Sequence, residues 1–415
     1  MAKKVEIPEP IIPNDSWKIV ELGKYVNIVN GYPFDSKRFT NSQENTYPLI
    51  RIRDVVRGYT ETFTNEDCPD EYKIKSGEIL IGMDGDFNIA KWKSDIGLLN
   101  QRVCKISSNS SELDENFLFF YLPIPLKQIN DATPSVTVKH LSSTSLQKLH
   151  FPLPTLAEQQ RIVNRIETMF AKLDQAQEKA QAVLDSFETR KATILHKAFT
   201  GELTANWRKA NGVSDDSWEE KTIGEICLVK GGKRVPKGMS LVKEKNEHPY
   251  LKAGNLKLGT VIDKDMEYVP NDVLKIIKNY TVSAGDVYIT NVGACIGDCG
   301  IIPDCFDGAN LTENAVKLTE LQCHNSYLAK LLASNLVQQQ IKSKIKSATL
   351  GKLSIDNIKQ LQINVPSYIE QQEIVRILDT VLEKETRAKE AAQTVLDQIA
   401  LLKKSILARA FRGEL

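Results

Sequence analysis

An internal repeat constrains this chain more than any other feature of its sequence. The segment Pro154–Val163 returns as Pro366–Val375, and the offset of 212 residues holds without a gap to the end, where Phe199–Leu203 matches Phe411–Leu415. Over these 50 aligned positions, 23 pairs of residues are identical. Chance does not produce a match of this length and density, so the chain is a duplication and its fold must contain the repeated element twice.

Each copy of the repeat is predicted to form one long helix. Neither Gly nor Pro occurs in residues 155–200 or 367–412, and each copy is preceded by Pro and followed by Gly, which is the usual punctuation of a helix. About 44 residues at 1.5 Å per residue give roughly 65 Å of helix. Apolar residues spaced alternately by four and three predict a coiled-coil seam between the two helices. The predicted seam residues are Ile162, Ile166, Met169, Leu173, Ala180, Val183, Phe187, Ile374, Leu378, Val381, Ala392, Val395, Ile399 and Ile406.

The residues in front of each helix repeat more faintly. Trp17 and Gly23 match Trp218 and Gly224 at an offset of 201, which drifts to 212 before the second helix. Drift of this kind is expected of two copies of one domain whose loops have diverged. Short strand-like runs, such as residues 79–81 and 287–289, lie among Gly- and Asn-rich turns, while residues 114–122 and 325–345 are predicted to be helical.

These segments predict four parts: a mixed α/β domain at 1–153, a helix at 154–203, a second such domain at 204–365 and a second helix at 366–415. Because the second domain lies between the helices in the chain, helices that pack along their seams must run antiparallel, with one domain at each end. The predicted fold class is therefore α+β, with two duplicated α/β domains separated by a long antiparallel two-helix coiled coil, pseudo-two-fold symmetric.

Composition limits the class of protein. The N-terminus has no apolar core of a secretory signal, and no run reaches the roughly 18 apolar residues of a membrane span, so we expect a soluble cytoplasmic protein. The seven Cys are scattered, which argues against a disulfide framework. Cys295, Cys299 and Cys305 cluster but have no paired CxxC or nearby His, so buried or inert thiols are expected in place of a metal site.

Clusters of basic residues are the candidates for ligand binding. Two divergent domains on a stiff spacer suit a ligand with two separated sites, and DNA offers these because its helical turn is about 34 Å. The net charge of only +1 requires either that positive charge be gathered locally or that a partner supply it. Solvated surface is the alternative for every cluster, and structural hydrogen bonding is the alternative for the predicted turn Gln101–Arg102. The predicted DNA-binding residues are Arg51, Arg53, Arg57, Lys91, Lys93, Gln101, Arg102, Lys230, Lys233, Arg234, Lys237, Lys342, Lys344, Lys346 and Lys352.

The sequence offers no catalytic constellation. A methyltransferase that modifies DNA amino groups would show an Asn/Asp-Pro-Pro-aromatic tetrapeptide, which is missing, as is a phosphate-binding loop with the pattern GxxxxGK[ST]. Asp70 and Glu71 are adjacent and would point to opposite faces of a strand. The five His show no short-range spacing typical of metal ligands, so neither catalytic residues nor a metal are predicted.

At its repeated segments the chain resembles the specificity subunit of type I restriction–modification enzymes. The marks are Glu-Gln-Gln shortly after a Pro (Glu158–Gln160 and Glu370–Gln372) and Ala-Phe-x-Gly-Glu-Leu at the helix end (Ala198–Leu203 and Ala410–Leu415). The resemblance covers nearly the whole chain. It implies that residues 1–153 and 204–365 are target-recognition domains, each reading one half of a split, asymmetric DNA site.

The resemblance also implies partners. The helices would be conserved spacers to which two methylation subunits bind. Restriction (translocase–nuclease) subunits would complete the complex. The complex would act on double-stranded DNA, and no membrane partner is expected. S-adenosylmethionine would be bound by the methylation subunits, ATP and Mg²⁺ by the restriction subunits, and no cofactor by this chain. The recognised bases and the gap between half-sites are not predicted.

Two other hypotheses stay open. One is a non-enzymatic coiled-coil scaffold whose duplicated domains bind proteins, which would lack salt-dependent binding of duplex DNA. The other is an enzyme with a degenerate catalytic site, for which the purified chain itself would transfer methyl groups or cut DNA.

Overall fold

The computed structural model describes residues 17–133, 139–345 and 351–415. They form two compact units. Unit 1 comprises the described residues up to Gln181 together with Thr394–Leu415, and unit 2 comprises those of Ala182–Gln393. Each unit therefore holds one mixed α/β region and a part of both long helices. The predicted domain limits at residues 153, 203 and 365 stay predictions.

Unit 1 is built from short strands and helices in front of the first long helix. Its strands are β1 (Lys18–Glu21), β2 (Val26–Asn30), β3 (Phe39–Thr40), β4 (Tyr47–Ile50), β5 (Phe63–Thr64), β6 (Lys73–Lys75), β7 (Ile79–Gly82), β8 (Ile89–Lys91), β9 (Ile96–Leu99), β10 (Val103–Ser108) and β11 (His150–Leu153). Its helices are α1 (Ile52–Arg57), α2 (Glu115–Tyr121), α3 (Pro123–Ala132), α4 (Ser143–Gln147) and the first part of α5 (Leu156–Phe199).

Unit 2 has the same plan. Its strands are β12 (Glu219–Thr222), β13 (Leu228–Gly231), β14 (Pro249–Leu251), β15 (Leu256–Lys257), β16 (Thr260–Val261), β17 (Glu267–Tyr268), β18 (Val287–Thr290), β19 (Cys299–Ile301), β20 (Asn310–Leu311), β21 (Ala315–Thr319) and β22 (Gln362–Val365). Its helices are α6 (Ala205–Asn211), α7 (Ile223–Ile226), α8 (Asn271–Ile277), α9 (Asn325–Leu332), α10 (Asn335–Lys344), α11 (Ile355–Lys359) and the first part of α12 (Tyr368–Ala410). Short 3₁₀ turns occupy Leu22–Lys24, Ser36–Arg38, Asp70–Tyr72, Asp215–Ser217 and Asp304–Phe306.

The strand topology of unit 1 recurs in unit 2. A four-stranded antiparallel sheet has the order β2-β10-β7-β8 in unit 1 and β13-β21-β18-β19 in unit 2, and the pairs β1-β11 and β12-β22 also correspond. In a second sheet, β4 pairs in parallel with β9, as β14 does with β20. The hairpin β15-β16 is an addition in unit 2. The duplication predicted from the faint repeat is therefore present in the fold, and the drift of the offset corresponds to such insertions.

The two long helices have the predicted extents and run antiparallel within each unit. α5 has 44 residues and α12 has 43. In unit 1, Lys403 Nζ lies 2.5 Å from the carboxylate of Asp174, and Arg161 donates to the carbonyl oxygen of Leu415 at 2.9 Å. As the residue number rises along α5, the number of the contacted residue falls along α12. The fold class, mixed α/β repeats with a long antiparallel helix pair, is confirmed.

The predicted seam follows the side of the helices with the lowest exposure. Ile162, Ile166, Ala180, Phe187, Ile374, Leu378, Ala392 and Ile399 are buried, while Met169, Leu173, Val183, Val381 and Ile406 are half-buried. The structure corrects one position. Val395 is 38% exposed and its neighbour Leu396 is half-buried, because a helix of 3.6 residues per turn drifts away from a strict four–three spacing.

The Glu-Gln-Gln motif has a structural role in both copies. In unit 1 the buried Gln159 donates to the carbonyl oxygens of Pro154 (2.9 Å) and Glu112 (2.8 Å) and accepts from the amide of Asp114 (2.8 Å). In unit 2 Gln371 donates to Pro366 (2.8 Å) and accepts from the amide of His324 (2.7 Å). Asp114 and His324 are the N-caps of α2 and α9. The motif thus fixes the start of each long helix to a helix of the preceding domain.

The second motif, Ala-Phe-x-Gly-Glu-Leu, anchors each helix end in a core. Phe411 packs edge-on against Phe117 of α2, with ring centroids 5.2 Å apart, and Phe199 packs against Tyr327 of α9 at 5.5 Å. Both phenylalanines are almost fully buried. Among the described residues, no helix is both long and apolar enough to cross a membrane.

Candidate nucleic-acid interface

A close backbone approach marks corresponding places in the two units. A Cβ atom on Gly31, directly after β2, would lie 1.9 Å from the carbonyl oxygen of Asn100, and one on Gly232, directly after β13, would lie 2.1 Å from that of Thr312. No larger residue fits at such a distance. These glycines belong to the turn signals seen in the sequence, and they bring the segment after the first sheet strand against the end of a strand in the second sheet.

The same backbone hydrogen bonds then shape a turn in each unit. We call residues 100–103 turn 1 and residues 312–315 turn 2. The bonds of turn 1 are Gly31 N to Val103 O (2.9 Å), Tyr32 N to Leu99 O (2.8 Å) and Val103 N to Asn100 O (3.2 Å). Those of turn 2 are Gly232 N to Ala315 O (3.2 Å), Lys233 N to Leu311 O (2.8 Å) and Ala315 N to Thr312 O (3.3 Å). Residue by residue, turn 2 is turn 1 displaced by 212.

Turn 1 forms one wall of a cleft in unit 1 with a volume of about 800 Å³. The opposite wall is the start of α1. Arg51, Arg53, Gln101 and Arg102 all line this cleft, and its described lining contains no carboxylate. Arg53 is held by a hydrogen bond to the hydroxyl of Thr62 at 3.1 Å. Four of the predicted DNA-binding residues, from segments about 50 positions apart in the sequence, are thus brought to one cleft. Arg53 and Arg102 also lie 3.7 Å from the carboxylates of Asp54 and Asp84, which are not part of its lining.

Arg102 occupies an unusual backbone conformation. Its φ is +72°, a region that side chains other than glycine rarely adopt and that costs of order 1–3 kcal/mol. Its guanidinium Nε lies 3.7 Å from the carboxylate of Asp84, which also lies 2.6 Å from His140 Nδ1. Nη1 of Arg102 is 3.3 Å from the same ring nitrogen. The carboxylate and imidazole orient Arg102 while leaving about half of its side chain exposed.

At turn 2, the acidic Glu313 of the turn meets the basic Arg234 of a neighbouring segment. Arg234 donates from Nε to the carboxylate of Glu313 at 2.5 Å, and the hydroxyl of Thr312 donates to the same carboxylate at 3.2 Å. Partial burial opposes ionisation, but these hydrogen bonds prevail and hold the pKa of Glu313 below its usual value. Lys352 pairs with Val292 through an isolated bridge, in the place where His140 pairs with Asp84 in unit 1.

The other predicted residues lie apart from the cleft and the turns, except Lys233, whose backbone amide bonds to Leu311 beside turn 2. Lys91 is engaged by Asn116 and lies over the ring of Phe119, and the stem of Lys93 covers Gly58. Arg57, Lys237 and Lys342 are exposed, and Lys344 is half-buried. Lys230 pairs with Glu320 at 3.3 Å, and Lys233 lies over the ring of Tyr280. Lys346 lies outside the described residues.

Sequence reasoning missed several residues at these surfaces. Ser36, Asn88 and Asn100 line the cleft, and His140, Glu313 and Asn314 flank the turns. A signal for Glu313 was present, because adding the repeat offset of 212 to Gln101 gives residue 313. Charge and turn placement had selected the basic residues and Gln101.

The cysteine cluster shows no set of ligands. Among the described residues, no group of three or more His, Cys, Asp or Glu side chains is arranged to hold a metal ion. Cys299 is buried, Cys295 is half-buried and Cys305 is exposed. Burial raises the pKa of the Cys299 thiol to about 12.

The chain contains two copies of one α/β arrangement. Each copy has a polar turn at the end of a strand and is attached to a long repeated helix. This architecture is typical of a protein that recognises a ligand with two separated parts. Known proteins give this class its name. The type I restriction modification DNA specificity domain matches residues 14–184 and again residues 215–396. The chain therefore belongs to the family of type I restriction–modification DNA specificity proteins.

Individual relatives agree over the whole length. The chain is 30% identical to the type I restriction enzyme EcoBI specificity subunit of Escherichia coli, over 97% of this chain and 87% of that protein. It is 22% identical to the EcoKI specificity subunit of Escherichia coli strain K12, over 97% and 89%. The fold is similar to that of the HsdS subunit from Thermoanaerobacter tengcongensis, with a TM-score of 0.60 at 19% identity, over 97% of this chain and 98% of that one. A chain from a type I R-M system, in a structure described in terms of complex assembly and conformational transition, gives a TM-score of 0.66, also at 19% identity, over 97% and 99%.

Proposed function

We propose that this chain selects a two-part DNA sequence for a type I restriction–modification complex, with unit 1 and unit 2 each reading one half. One observation carries the proposal. The same turn, fixed by the same hydrogen bonds, presents polar side chains from corresponding positions in both units, but the side chains differ. An asymmetric two-part DNA site requires two similar domains whose base-contacting side chains differ. The reason is that a protein distinguishes base edges by the hydrogen-bond donors and acceptors that it places against them.

The arginines of the unit 1 cleft support DNA as the ligand. Guanidinium groups bind phosphates and the acceptor edge of guanine, and Arg51, Arg53 and Arg102 face one cleft whose described lining has no carboxylate. In unit 2, Lys233, Arg234 and Lys352 lie on the segments that flank turn 2. The net charge of +1 shows that attraction to DNA depends on these local groups or on a partner.

Partners and cofactors are part of the proposal. Two methylation subunits would dock on α5 and α12 and bind S-adenosylmethionine, and restriction subunits would supply ATP- and Mg²⁺-dependent translocation and cleavage. The chain itself would bind double-stranded DNA in the cytoplasm without catalysing a reaction. The lysines predicted at 342, 344 and 346 would contribute phosphate contacts.

The test is selection from a randomised duplex DNA library by the full chain, alone and with its methylation subunits. We expect a motif with two separated halves and binding that weakens steeply with salt. Replacing residues 17–150 by those of another specificity subunit should change one half and preserve the other, and replacing residues 215–360 should do the reverse. A motif that changes in both halves after either exchange would contradict the proposal. Salt-independent binding or no enrichment would instead favour a protein scaffold.

A further inference from the structure

Gln101 and Glu313 occupy the same place in the two units. Each is the second residue of its turn, each follows a strand that pairs in parallel with its neighbour, and their numbers differ by the repeat offset of 212. Three backbone hydrogen bonds recur in the two turns, although the residue after Gln101, Arg102, has a positive φ of 72° and the residue after Glu313, Asn314, does not. The side chains are nearly isosteric, but one ends in an amide and the other in a carboxylate.

The surroundings leave Gln101 available for a ligand. Its side chain is exposed in the cleft of unit 1, and none of its side-chain atoms forms a hydrogen bond with the described part of the chain. The backbone amide of Gln101 is fixed, however, by the carbonyl oxygen of Tyr32 at 2.9 Å. A rigid turn thus presents one free amide group between arginines that can hold phosphates on either side.

Glu313 is held in a charged, oriented form. Arg234 Nε donates to it at 2.5 Å and Thr312 Oγ1 at 3.2 Å, while its side chain stays 29% exposed. Oε1 accepts from Arg234 and Oε2 accepts from Thr312, and each oxygen of an ionised carboxylate keeps a further lone pair that can accept another hydrogen bond. Arg234 is itself 78% exposed, so it positions the carboxylate without covering it.

The two terminal groups match different bases. A glutamine amide offers one donor and one acceptor, which is complementary to N7 and the N6 amino group of adenine in the major groove. An ionised carboxylate only accepts, which suits the N4 amino group of cytosine and repels the two acceptors of guanine. The difference between positions 101 and 313 is therefore a difference in the base that each turn can read.

We propose that Gln101 and Glu313 are corresponding specificity-determining residues of the two half-sites, with Gln101 reading an adenine and Glu313 reading a cytosine. This inference rests on the proposed function, because it assumes that both turns face DNA. Arg102 and Arg234 are positioning neighbours that fix the orientation of the turn and of its carboxylate. Because the two residues occupy equivalent positions of the repeat, exchanging their side-chain types tests the assignment in both half-sites.

The experiment repeats the randomised-library selection with Gln101→Glu and Glu313→Gln in the full chain with its methylation subunits. Gln101→Glu should change one base of one half-site from adenine to cytosine, and Glu313→Gln should change one base of the other half from cytosine to adenine. A good contact to a base edge discriminates by about 1–3 kcal/mol, so the base ratio should shift by a factor of about 5 to 150. Matched controls are Gln160→Glu on the exposed face of α5 and Glu320→Gln, which lies 65% exposed beside Lys230.

The outcomes separate this inference from the proposed function. If the wild-type chain selects a two-part motif and both variants select the same bases, the assignment of these residues is wrong while the function stands. Changes in the wrong half, or equal changes with the control variants, also overturn the assignment. If the wild-type chain selects no motif, the proposed function fails and the inference fails with it. Gln101 is exposed, so Gln101→Glu should leave the urea unfolding curve unchanged. Glu313 is half-buried and paired with Arg234, so the unfolding curve of Glu313→Gln should shift to lower urea but stay cooperative, which shows that the variant is folded.

Discussion

Arg190 of α5 donates a hydrogen bond from Nε to the carboxylate of Glu385 of α12 at 2.8 Å, within unit 2. In the other copy of the repeat, the corresponding positions hold Leu402 and Leu173. Arg190 is held further by Ser186 Oγ and by the carbonyl oxygen of Val183. Glu385 interrupts the apolar seam in the sequence, but in the structure an ion pair between the helices fills that position.

This pair can be replaced by the residues of its own repeat. Glu385→Leu alone would leave a partly buried guanidinium without its carboxylate and should lower the free energy of unfolding by about 1–3 kcal/mol. The double variant Arg190→Leu/Glu385→Leu should recover most of that loss, because apolar replacement of a whole pair is often neutral or stabilising. Urea unfolding of the full mutant cycle measures the coupling.

A surface pair provides the control for this cycle. Arg387 and Glu383 lie 2.6 Å apart but are both well exposed, so the same leucine replacements there should show almost no coupling. Equal coupling in the two cycles would show that the Arg190–Glu385 pair contributes no more than a surface ion pair.

Glu370 of the second Glu-Gln-Gln motif forms an ion pair that is more deeply buried than the pair Arg190–Glu385. Its side chain is fully buried, and Oε1 accepts from Arg208 (2.7 Å), from the hydroxyl of Thr204 (2.6 Å) and from the indole of Trp218 (3.2 Å). Arg208→Met should destabilise unit 2 by about 3–5 kcal/mol, because removing one partner leaves a buried charge. Lys209→Met, at the exposed neighbouring position, is the matched control.

The long helices and the duplication were predictable because their signals are local. A helix without Gly or Pro, bounded by Pro and Gly, needs only its own sequence to be recognised. α5 and α12 begin and end within two residues of the runs 155–200 and 367–412 that lack Gly and Pro. Residues 325–345 were predicted to be helical, and the structure divides them into α9 and α10, with Ser334 as the N-cap of α10. The hydroxyl of Ser334 donates to the carbonyl oxygen of Leu331 at 2.6 Å and makes no capping bond to α10.

The candidate interface was only partly predictable. Arg51, Gln101 and His140 are far apart in the chain, and only the parallel pairing of β4 with β9 and the close approach at Gly31 bring their segments together. Lys91 was selected for its charge, but strand β8 directs it toward Asn116 and Phe119. Clusters of charge in a sequence do not reveal which face of a strand they occupy.

The buried Gln159 should be required for the stability of unit 1. Gln159→Ala would leave the amide of Asp114 and the carbonyl oxygens of Glu112 and Pro154 without their partner, at a cost of about 1–3 kcal/mol. The exposed Gln160→Ala should change stability by less than about 0.5 kcal/mol. Hydrogen exchange at the Asp114 amide should accelerate only in Gln159→Ala, and equal acceleration in both variants would show that the motif acts differently.

The thiols should differ sharply in reactivity. Cys305 is exposed, whereas burial raises the pKa of Cys104 and Cys299 to about 12 and that of Cys323 to about 11. Since the thiolate is the reactive form, these three thiols should stay protonated and unlabelled from pH 7 to pH 9, whereas a thiol reagent can reach Cys305. Cys305→Ser should remove the fastest phase of labelling by a thiol reagent. If that phase persists in Cys305→Ser, the most reactive thiol is a different cysteine. Labelling in urea gives the total number of thiols that can react.

The arginines of the unit 1 cleft provide a test that does not depend on knowing the DNA sequence. If Arg53 contacts a phosphate, Arg53→Gln should weaken duplex binding for all sequences and reduce the slope of log affinity against log salt by about 0.9. Arg57→Gln, one turn further along α1 and outside the lining of the cleft, should leave the slope unchanged. Binding isotherms of the full chain at several salt concentrations measure both. A smaller slope in both variants would extend the interface along α1, whereas an unchanged slope in Arg53→Gln would exclude this arginine from phosphate binding.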